Sequence, residues 1–444
     1  NPVDNIITDD SSSDSDFTTD TDTTEYQAAD FLTKLKVTEV YSDNMTGSGI
    51  KIALLNTGVQ NLTDINNENY DTDGAIAVVN NASADSNAAI MVAEKNDIGL
   101  HGIAYNSEIL DIQTHNLDSS NNIVSTVTEV KAGVTSTKTN NVDLINIRSE
   151  VINGFDNISN KNSLIKAIKA SSAIIVTSVG DTDNGHTDPL DLAKLSIDDT
   201  SLTNMVVVAG LNEAGTDIST KSRYCGAIKN CLATYSENIT TYDQNNNLVS
   251  MTGTDLSASI VTGVLALMKQ KFSTIENDDL IKILLENSTP KFSDTEIENS
   301  ASRDAGAEGN TSDIYGYGLL DDAAILRIFS FDASSASTSA IAYSSSQSFS
   351  LENSYFSIDE SLSSFAHNLS SILTEVQIFD KYKRNFNLDL SNMVSIQSSK
   401  LNLLNLFEKD EKLYNKFNSL GDKLTFTYPN KLKESNFKNL DFSL

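Results

Sequence analysis

Residues 253–268 read GTDLSASIVTGVLALM, and this stretch decides the fold. A Gly-Thr pair precedes Asp255, small residues follow, and the remainder is strongly apolar. The pattern predicts a buried helix over 255–271, and a helix start opened by glycine usually holds an exposed group, here Asp255. That group is the carboxylate of Asp255, whereas a glycine-opened helix start of this kind elsewhere presents a nucleophile. The residues at the ends of the predicted strands help to explain the difference.

Apolar strands alternate with amphipathic helices from about residue 30 to 328. The predicted strands are 50–59, 107–116, 142–147, 172–181 and 205–210, and the predicted helices are 86–95, 123–134, 164–170, 255–271 and 278–287. This alternation predicts an α/β fold with a doubly wound parallel sheet. Ligand sites in such sheets lie beyond the carboxyl ends of the strands, which makes Asn56, Arg148 and Gly180–Asp181 candidate site residues.

Composition divides the chain into three parts. Residues 1–30 are acidic, rich in Asp, Ser and Thr, and without Lys or Arg, which predicts a flexible N-terminal arm. Residues 31–330 carry the α/β pattern. Residues 331–444 are first Ser-rich and then alternate like strands at 373–395, and from 381 onwards Lys and Arg outnumber Asp and Glu. We interpret 331–444 as a β-rich extension or linker.

The net charge limits the classes of molecule that the protein can bind, and the cysteine content indicates the redox state of its compartment. The net charge is −30, from 61 acidic and 31 basic residues, which disfavours nucleic acid as a partner. No run approaches the ~20 apolar residues of a membrane-spanning helix. Cys225 and Cys231 are six residues apart, which suggests a small disulfide loop and an oxidising compartment. Two free thiols are the alternative, and a metal site is disfavoured because no His lies nearby.

Six segments, in order, resemble the subtilisin-like serine protease (subtilase) family over about residues 37–328. They are GSGIKIALLNTGVQNL (47–62), NDIGLHGIAYNSEIL (96–110), VDLINI (142–147), IIVTSVGD (174–181), GTDLSASIVTGVLALM (253–268) and YGYGLLDDAAIL (315–326). The resemblance implies a subtilisin-like fold. It places the family's catalytic Asp on Asn56, its His on Asn87, its nucleophilic Ser on Asp255 and its oxyanion Asn on Asp181, so all four positions depart from the family pattern.

These replacements remove the family's chemistry. An Asn amide is not a base, Asp255 has no hydroxyl, and a carboxylate at 181 repels a developing oxyanion. We therefore expect a pseudoprotease, not an enzyme. An active serine endopeptidase with a rearranged site is the alternative; it would need one of the chain's four histidines, and a lone loop histidine usually lies at the surface. Ser257 is expected to point away from Asp255. The histidines are His101, His115, His186 and His367.

Two hypotheses describe the remaining polar cluster of Asp255, Asp181, Asn87 and Asn56. The carboxylates can bind Ca²⁺ through oxygen ligands. Alternatively, Asp255 plugs the former site with hydrogen bonds to the two Asn side chains, and this is the hypothesis we favour. No other cofactor is expected.

Two further segments resemble the subtilase passenger domains of bacterial autotransporters. They are the two-cysteine stretch SRYCGAIKNCLATYSENI (222–239) and the linker-like stretch LTEVQIFDKYKRNFNLDLS (373–391). The resemblance implies a secreted or surface-displayed passenger. Its partners would be a protein, a peptide or a host-surface component, together with the outer-membrane barrel of its own precursor. The stretch EGNTS (308–312) makes Asn310 a candidate glycosylation site.

Overall fold

A computed structural model describes most of the α/β region and short pieces of the C-terminal region. The described residues are 23–41, 44–60, 62–65, 70–72, 81–182, 185–292, 311–330, 356–359, 371, 376–379, 382, 384–388 and 394–397. The chain divides into two compact units, residues 1–330 and 331–444.

The first unit contains twelve described strands and ten described α-helices. The strands are β1 (Lys51–Asn56), β2 (Tyr70–Thr72), β3 (Glu108–Gln113), β4 (His115–Leu117), β5 (Ile123–Thr126), β6 (Leu144–Ile147), β7 (Val151–Asn153), β8 (Ile174–Ser178), β9 (Met205–Leu211), β10 (Cys231–Tyr235), β11 (Ile239–Tyr242) and β12 (Leu248–Met251). The helices are α1 (Thr24–Ala28), α2 (Asp30–Leu35), α3 (Thr38–Tyr41), α4 (Ser83–Val92), α5 (Val127–Ser136), α6 (Ile158–Lys169), α7 (Asp191–Asp198), α8 (Thr254–Lys271), α9 (Asn277–Glu286) and α10 (Asp322–Phe329).

Seven parallel strands form the central sheet, in the order β10-β9-β8-β6-β1-β3-β2. Its strands are apolar on both faces because helices cover both faces. Leu55 belongs to the core that also contains Val130 of α5 and Ile168 of α6. On α8, Thr262 accepts a hydrogen bond from the buried Asn146 amide of β6 at 2.8 Å. The predicted α/β fold with a mainly parallel sheet is confirmed.

Helix α8 is the central buried helix of this unit. Every residue from Thr254 to Met268 is buried, which explains why the quoted stretch is apolar on all sides. Gly263 allows a close approach to the neighbouring chain, since a Cβ there would lie 2.7 Å from the Cβ of Ile103. The first turn of α8 therefore has a fixed position at the carboxyl edge of the sheet.

Two smaller sheets accompany the central one. Strands β4, β5 and β7 form a three-stranded sheet, and β11 and β12 form an antiparallel pair. The predicted helix 123–134 is wrong at its start, because 123–126 is strand β5. Thr126 and Glu129 form a capping box that begins α5 at Val127.

The N-terminal arm differs from its prediction within the described residues. Helix α1 occupies 24–28, inside the segment expected to be flexible, and Glu25 and Tyr26 are buried. The Glu25 carboxylate accepts hydrogen bonds from the backbone N–H groups of Asn96 and Asp97, at 3.1 and 2.9 Å. These contacts order a segment whose composition alone favours disorder. Residues 1–22 lie outside the described residues.

The second unit is described only in short strands. Strand β13 (Phe356–Asp359) pairs with β16 (Val394–Gln397) in parallel, and β14 (Val376–Phe379) pairs with β15 (Asn385–Leu388) antiparallel. The Ser-rich stretch 331–355, the basic stretch after 397, Asn310 and His367 lie outside the described residues. Within the described part of the chain, no helix is long and apolar enough to span a membrane.

Candidate functional site

Polar side chains gather where the central strands end. Asn56 is the last residue of β1, Arg148 follows β6, and Ser178 is the last residue of β8. Helices α4 and α8 begin at the same edge, which brings Ser83 and Asp255 to these strand ends. The carboxyl ends of parallel strands form the expected ligand edge of such a sheet.

Asp255 is the second residue of α8 and forms a buried ion pair with Arg148. One guanidinium nitrogen of Arg148, Nη1, bonds Asp255 Oδ2. Asp255 Oδ1 accepts a hydrogen bond from the Ser149 N–H at 3.4 Å and from the Ser178 hydroxyl at 3.2 Å. The Asp255 side chain is 10% exposed and that of Arg148 is 13% exposed. The carboxylate thus has a fixed counter-charge.

The plug hypothesis is wrong about the partners of Asp255. Neither Asn56 nor Asn87 bonds its carboxylate within the described residues; Arg148 does. A buried carboxylate requires an opposite charge more than a neutral amide, because removal from water penalises the charged form. The sequence marked Arg148 as a strand-end residue, and its cationic side chain was the signal that could have identified the pair.

Arg148 has two further partners. Its Nη1 donates to the Ser83 hydroxyl, and its Nη2 pairs with Glu150 Oε1 at 2.5 Å. Burial lowers the pKa of Arg148, but the carboxylates of Asp255 and Glu150 more than offset this and raise it above its usual value. Arg148 therefore stays charged. Ser83 and Glu150 are site residues that sequence reasoning missed, since neither matches a family motif.

The Asp255 carboxyl titrates far from its usual range. Burial raises the pKa of Asp255 to about 7, against the lowering effect of the Arg148 guanidinium, and the nearby charges of Glu150 and Asp181 raise it further. Asp255 and Glu150 thus share one cation, and the charge of Asp181 acts on the same site.

Asn56 joins the same network through Ser83. The Asn56 amide nitrogen lies 3.1 Å from Ser83 Oγ, and the Asn56 Oδ1 lies 3.2 Å from it. Asn56 also accepts a hydrogen bond from the Thr57 N–H at 2.7 Å. The residue of α4 that hydrogen-bonds Asn56 is therefore Ser83.

Asn87 lies four residues after Ser83 along α4, and within the described residues no hydrogen bond joins it to the cluster. It is buried, and within the described part of the chain neither its amide nitrogen nor its amide oxygen has a hydrogen-bond partner. The predicted hydrogen bond between Asn87 and Asp255 is therefore wrong. The motif match over α4 lacks glycine and histidine landmarks, which left the register along this helix undetermined.

Asp181 stabilises the first turn of α8. Its Oδ1 accepts hydrogen bonds from the Thr254 N–H at 2.7 Å and the Thr254 hydroxyl at 2.8 Å. The N-cap residue Gly253 has no side chain to provide this bond, so Asp181 supplies it from another segment. The Thr254 hydroxyl also lies 3.0 Å from Ser178 Oγ, which connects Asp181 to Asp255 through Ser178.

The histidines offer no imidazole beside Asp255 among the described contacts. His115 is fully buried, its Nδ1 lies 2.9 Å from Thr114 Oγ1, and burial followed by the charge of Arg148 lowers its pKa to about 3. His101 is buried against the rings of three tyrosines, and among the described histidines His186 alone is exposed. The expectation of surface positions is therefore wrong for His101 and His115. The tyrosines are Tyr26, Tyr41 and Tyr105.

The remaining candidate residues lie apart from the ion pair. Cys225 and Cys231 are joined in a disulfide whose Cα atoms are 5.8 Å apart. The Ser257 hydroxyl donates to the carbonyl oxygen of Tyr235 at 2.9 Å and is not a partner of Asp255. Within the described residues, no group of three or more His, Cys, Asp or Glu side chains is placed to hold a metal ion. The arrangement around Asp255 suits a guanidinium better than Ca²⁺.

Comparisons with known proteins agree on the fold. The model of the "Subtilase family" matches residues 47–318. The structure of MycP1 without its N-terminal propeptide is 20% identical, with a TM-score of 0.50, and the match covers 67% of this chain and 96% of that one.

Two further solved structures match with the same TM-score. MycP1 from the ESX-1 type VII secretion system is 17% identical, with a TM-score of 0.50 and coverage of 67% of this chain and 85% of that one. The prenylagaramide maturation protease PagA is 14% identical, with a TM-score of 0.50 and coverage of 66% and 99%. No curated protein matches the chain significantly.

Proposed function

The chain belongs to the subtilase family, and we propose that it is a catalytically inactive member, a pseudoprotease that acts by binding. The observation that carries this proposal is the buried Asp255–Arg148 ion pair at the start of α8. The family resemblance places the nucleophilic serine there. Asp255 supplies no hydroxyl nucleophile, and its carboxylate is engaged by the Arg148 guanidinium.

The surroundings of the pair support the same conclusion. The Ser178 hydroxyl donates to Asp255 and the Ser83 hydroxyl accepts from Arg148, and neither has an imidazole partner within the described residues. Asp181 accepts hydrogen bonds from Thr254 instead of donating one, so it does not stabilise an oxyanion.

Reaction with a fluorophosphonate probe tests for an activated hydroxyl in the full chain. We expect no covalent adduct by mass spectrometry, under conditions in which an active subtilase is fully labelled. An adduct on any serine or threonine at the strand ends would contradict the proposal. The Asp255→Ser variant serves as a matched control, and it too is expected to remain unlabelled because it lacks a base.

An extended peptide, a protein segment or a host-surface component is the proposed ligand. Strands β7 and β12 each have one paired neighbour in the described part of the chain, and they lie close in sequence to Glu150 and Asp255. Free strand edges bind extended peptides through backbone hydrogen bonds. Fluorescence anisotropy with labelled extended peptides measures this, and proline at successive β12 positions should abolish binding where the replaced N–H faces outward.

The alternative is an active endopeptidase with a rearranged site. Thr114 and His115 are the observation in its favour, since their hydroxyl and imidazole are 2.9 Å apart. Both residues are buried, and an imidazole with a pKa of about 3 is a weak base. Peptide cleavage that is lost in Thr114→Val would establish this alternative.

We also propose a secreted or surface-displayed passenger of an autotransporter, with its own precursor's outer-membrane barrel as a partner. The disulfide between Cys225 and Cys231 favours an oxidising compartment. Protease treatment of intact cells tests whether the protein is displayed on the cell surface.

Calcium binding is a weaker hypothesis for the Asp255 cluster, and calorimetry that detects no binding dependent on Asp255 would refute it.

A further inference from the structure

A second group of reactive side chains lies away from the strand-end site, where α8 turns into α9. Lys269 is in the last turn of α8, and Asn277 is the first residue of α9. The Lys269 Nζ lies 2.8 Å from Asn277 Oδ1. It also lies 3.7 Å from Oδ1 of Asp143, the residue before β6. An amine, a carboxamide and a carboxylate thus converge.

The Asn277 carboxamide has a fixed orientation. Its Nδ2 donates to the carbonyl oxygen of Ser172 at 2.6 Å, which turns Oδ1 towards the Lys269 amine. The carboxylate is also held, because Asp143 Oδ2 accepts the Lys51 N–H at 3.0 Å. Positioned partners of this kind convert a slow bimolecular amide exchange into an intramolecular one.

The amine is partly withdrawn from water. The Lys269 side chain is 15% exposed, and burial lowers its pKa despite the opposing charges of Asp143 and Glu276. A lowered pKa increases the fraction of neutral amine, which is the nucleophilic form of lysine.

We propose that Lys269 and Asn277 form an intramolecular isopeptide bond, with Asp143 as the proton carrier. Asp143 takes a proton from the Lys269 ammonium, and the neutral Nζ attacks Cγ of Asn277. The protonated Asp143 then delivers its proton to the departing Nδ2. The Nζ–Cγ bond forms, the Cγ–Nδ2 bond breaks, and nitrogen leaves as ammonia, which carries away the remaining lysine proton as ammonium. No oxidant, reductant or other reactant is needed.

The product ties the end of α8 to the start of α9. Because α8 carries Asp255 at its other end, the bond would fix the helix that organises the strand-end site. This inference is independent of the proposed binding function, since no hydrogen bond or ion pair among the described residues joins Lys269, Asn277 or Asp143 to Asp255.

Intact-mass spectrometry of the folded full chain tests the proposal directly. We expect a mass lower than the sequence mass by one ammonia, after allowance for the disulfide, and a digest that contains a branched peptide joining Lys269 to Asn277. A mass equal to the disulfide-bonded sequence mass after prolonged incubation of the folded protein would overturn the proposal.

Variants assign the roles. The Lys269→Arg variant should have the mass calculated from its sequence, with no loss of ammonia. Lys282→Arg alters an exposed lysine of α9, and this variant should lose one ammonia as the wild type does. Asp143→Asn should slow linkage at least tenfold, by loss of the proton carrier. Unchanged linkage in Lys269→Arg would overturn the assignment of the nucleophile, and unchanged linkage in Asp143→Asn would overturn the role of Asp143.

Discussion

At the scale of single residues, the Asp255–Arg148 pair replaces reactive chemistry with a charge interaction. Arg148 also contacts Glu150 and Ser83, so one cation holds three neighbouring side chains. Removing one partner of such a buried pair leaves an uncompensated charge, which typically costs about 3–5 kcal/mol. The two charges are therefore coupled, because the loss of either one leaves the other buried without its counter-charge.

The ionisation of Asp255 predicts a distinctive pH dependence of stability. Its pKa is raised to about 7 by burial, so the folded state binds the proton more tightly than the unfolded state. This contribution is complete below the usual carboxyl pKa and is lost as pH rises from about 4 through about 7, by up to about 4 kcal/mol. We expect Asp255→Asn to lose this slope in urea unfolding experiments between pH 4 and 8. An identical slope in wild type and variant would contradict the assignment.

His115 predicts the opposite slope at acid pH. Burial and the Arg148 charge lower its pKa to about 3, so the folded state keeps the imidazole neutral. Stability from this group is present above the unfolded histidine pKa and is lost as pH falls from about 6.5 through about 3, by up to about 5 kcal/mol. In the His115→Gln variant, the free energy of unfolding should fall less steeply as the pH is lowered than it does in the wild type. Comparison with His186→Gln, at an exposed position, controls for the substitution.

At the scale of elements, α8 begins where Asp181 accepts its first N–H. Because Gly253 provides no cap, we expect Asp181→Ala to lower the unfolding free energy by about 1 kcal/mol, the usual value of a lost N-cap. Asp188→Ala, at an exposed position on the same loop, is the matched control and should change stability little. Equal effects of the two substitutions in chemical denaturation would show that Asp181 does not cap α8.

The disulfide loop is an element of the same unit. Cys225 and Cys231 are buried, and the N–H of Gly226 donates to the carbonyl of Asp313 at 2.7 Å, which joins the loop to the segment after 311. Closing so short a loop is worth about 2–3 kcal/mol. Cys225→Ser with Cys231→Ser should reduce the unfolding free energy by that amount. Equal stability of the oxidised protein and the double variant would contradict this.

At the scale of the whole molecule, the sequence was sufficient for the sheet and insufficient for the site. Buried strands such as 144–147 and 205–211 follow from apolar runs, because each must be covered on both faces. The strand at 123–126 was missed because the same residues fit a helical period until the capping box begins α5. The order of the six segments along the chain then indicated the subtilase family, which the family model confirms.

The site residues were only partly predictable. Asn56, Asp181 and Asp255 lie at the strand ends and helix start where their motifs place them. Asn87 was predicted to hydrogen-bond within the polar cluster, but Ser83 of the same helix does so. The register along α4 depends on packing, which motifs do not encode. The Arg148 ion pair depends on two segments more than a hundred residues apart, so charge balance was the only sequence signal for it.

Peptide cleavage by the full-length chain tests the central claim most directly. Labelled casein and a mixed peptide library are incubated with wild type from pH 5 to 9, with Asp255→Ser and an active subtilase in parallel. Our account predicts no cleavage above buffer by either the wild type or Asp255→Ser, while the active subtilase degrades both substrates. The account would be contradicted by sustained peptide cleavage by the wild type, if this activity copurifies with the folded protein and is lost in the Thr114→Val or Asp255→Asn variant.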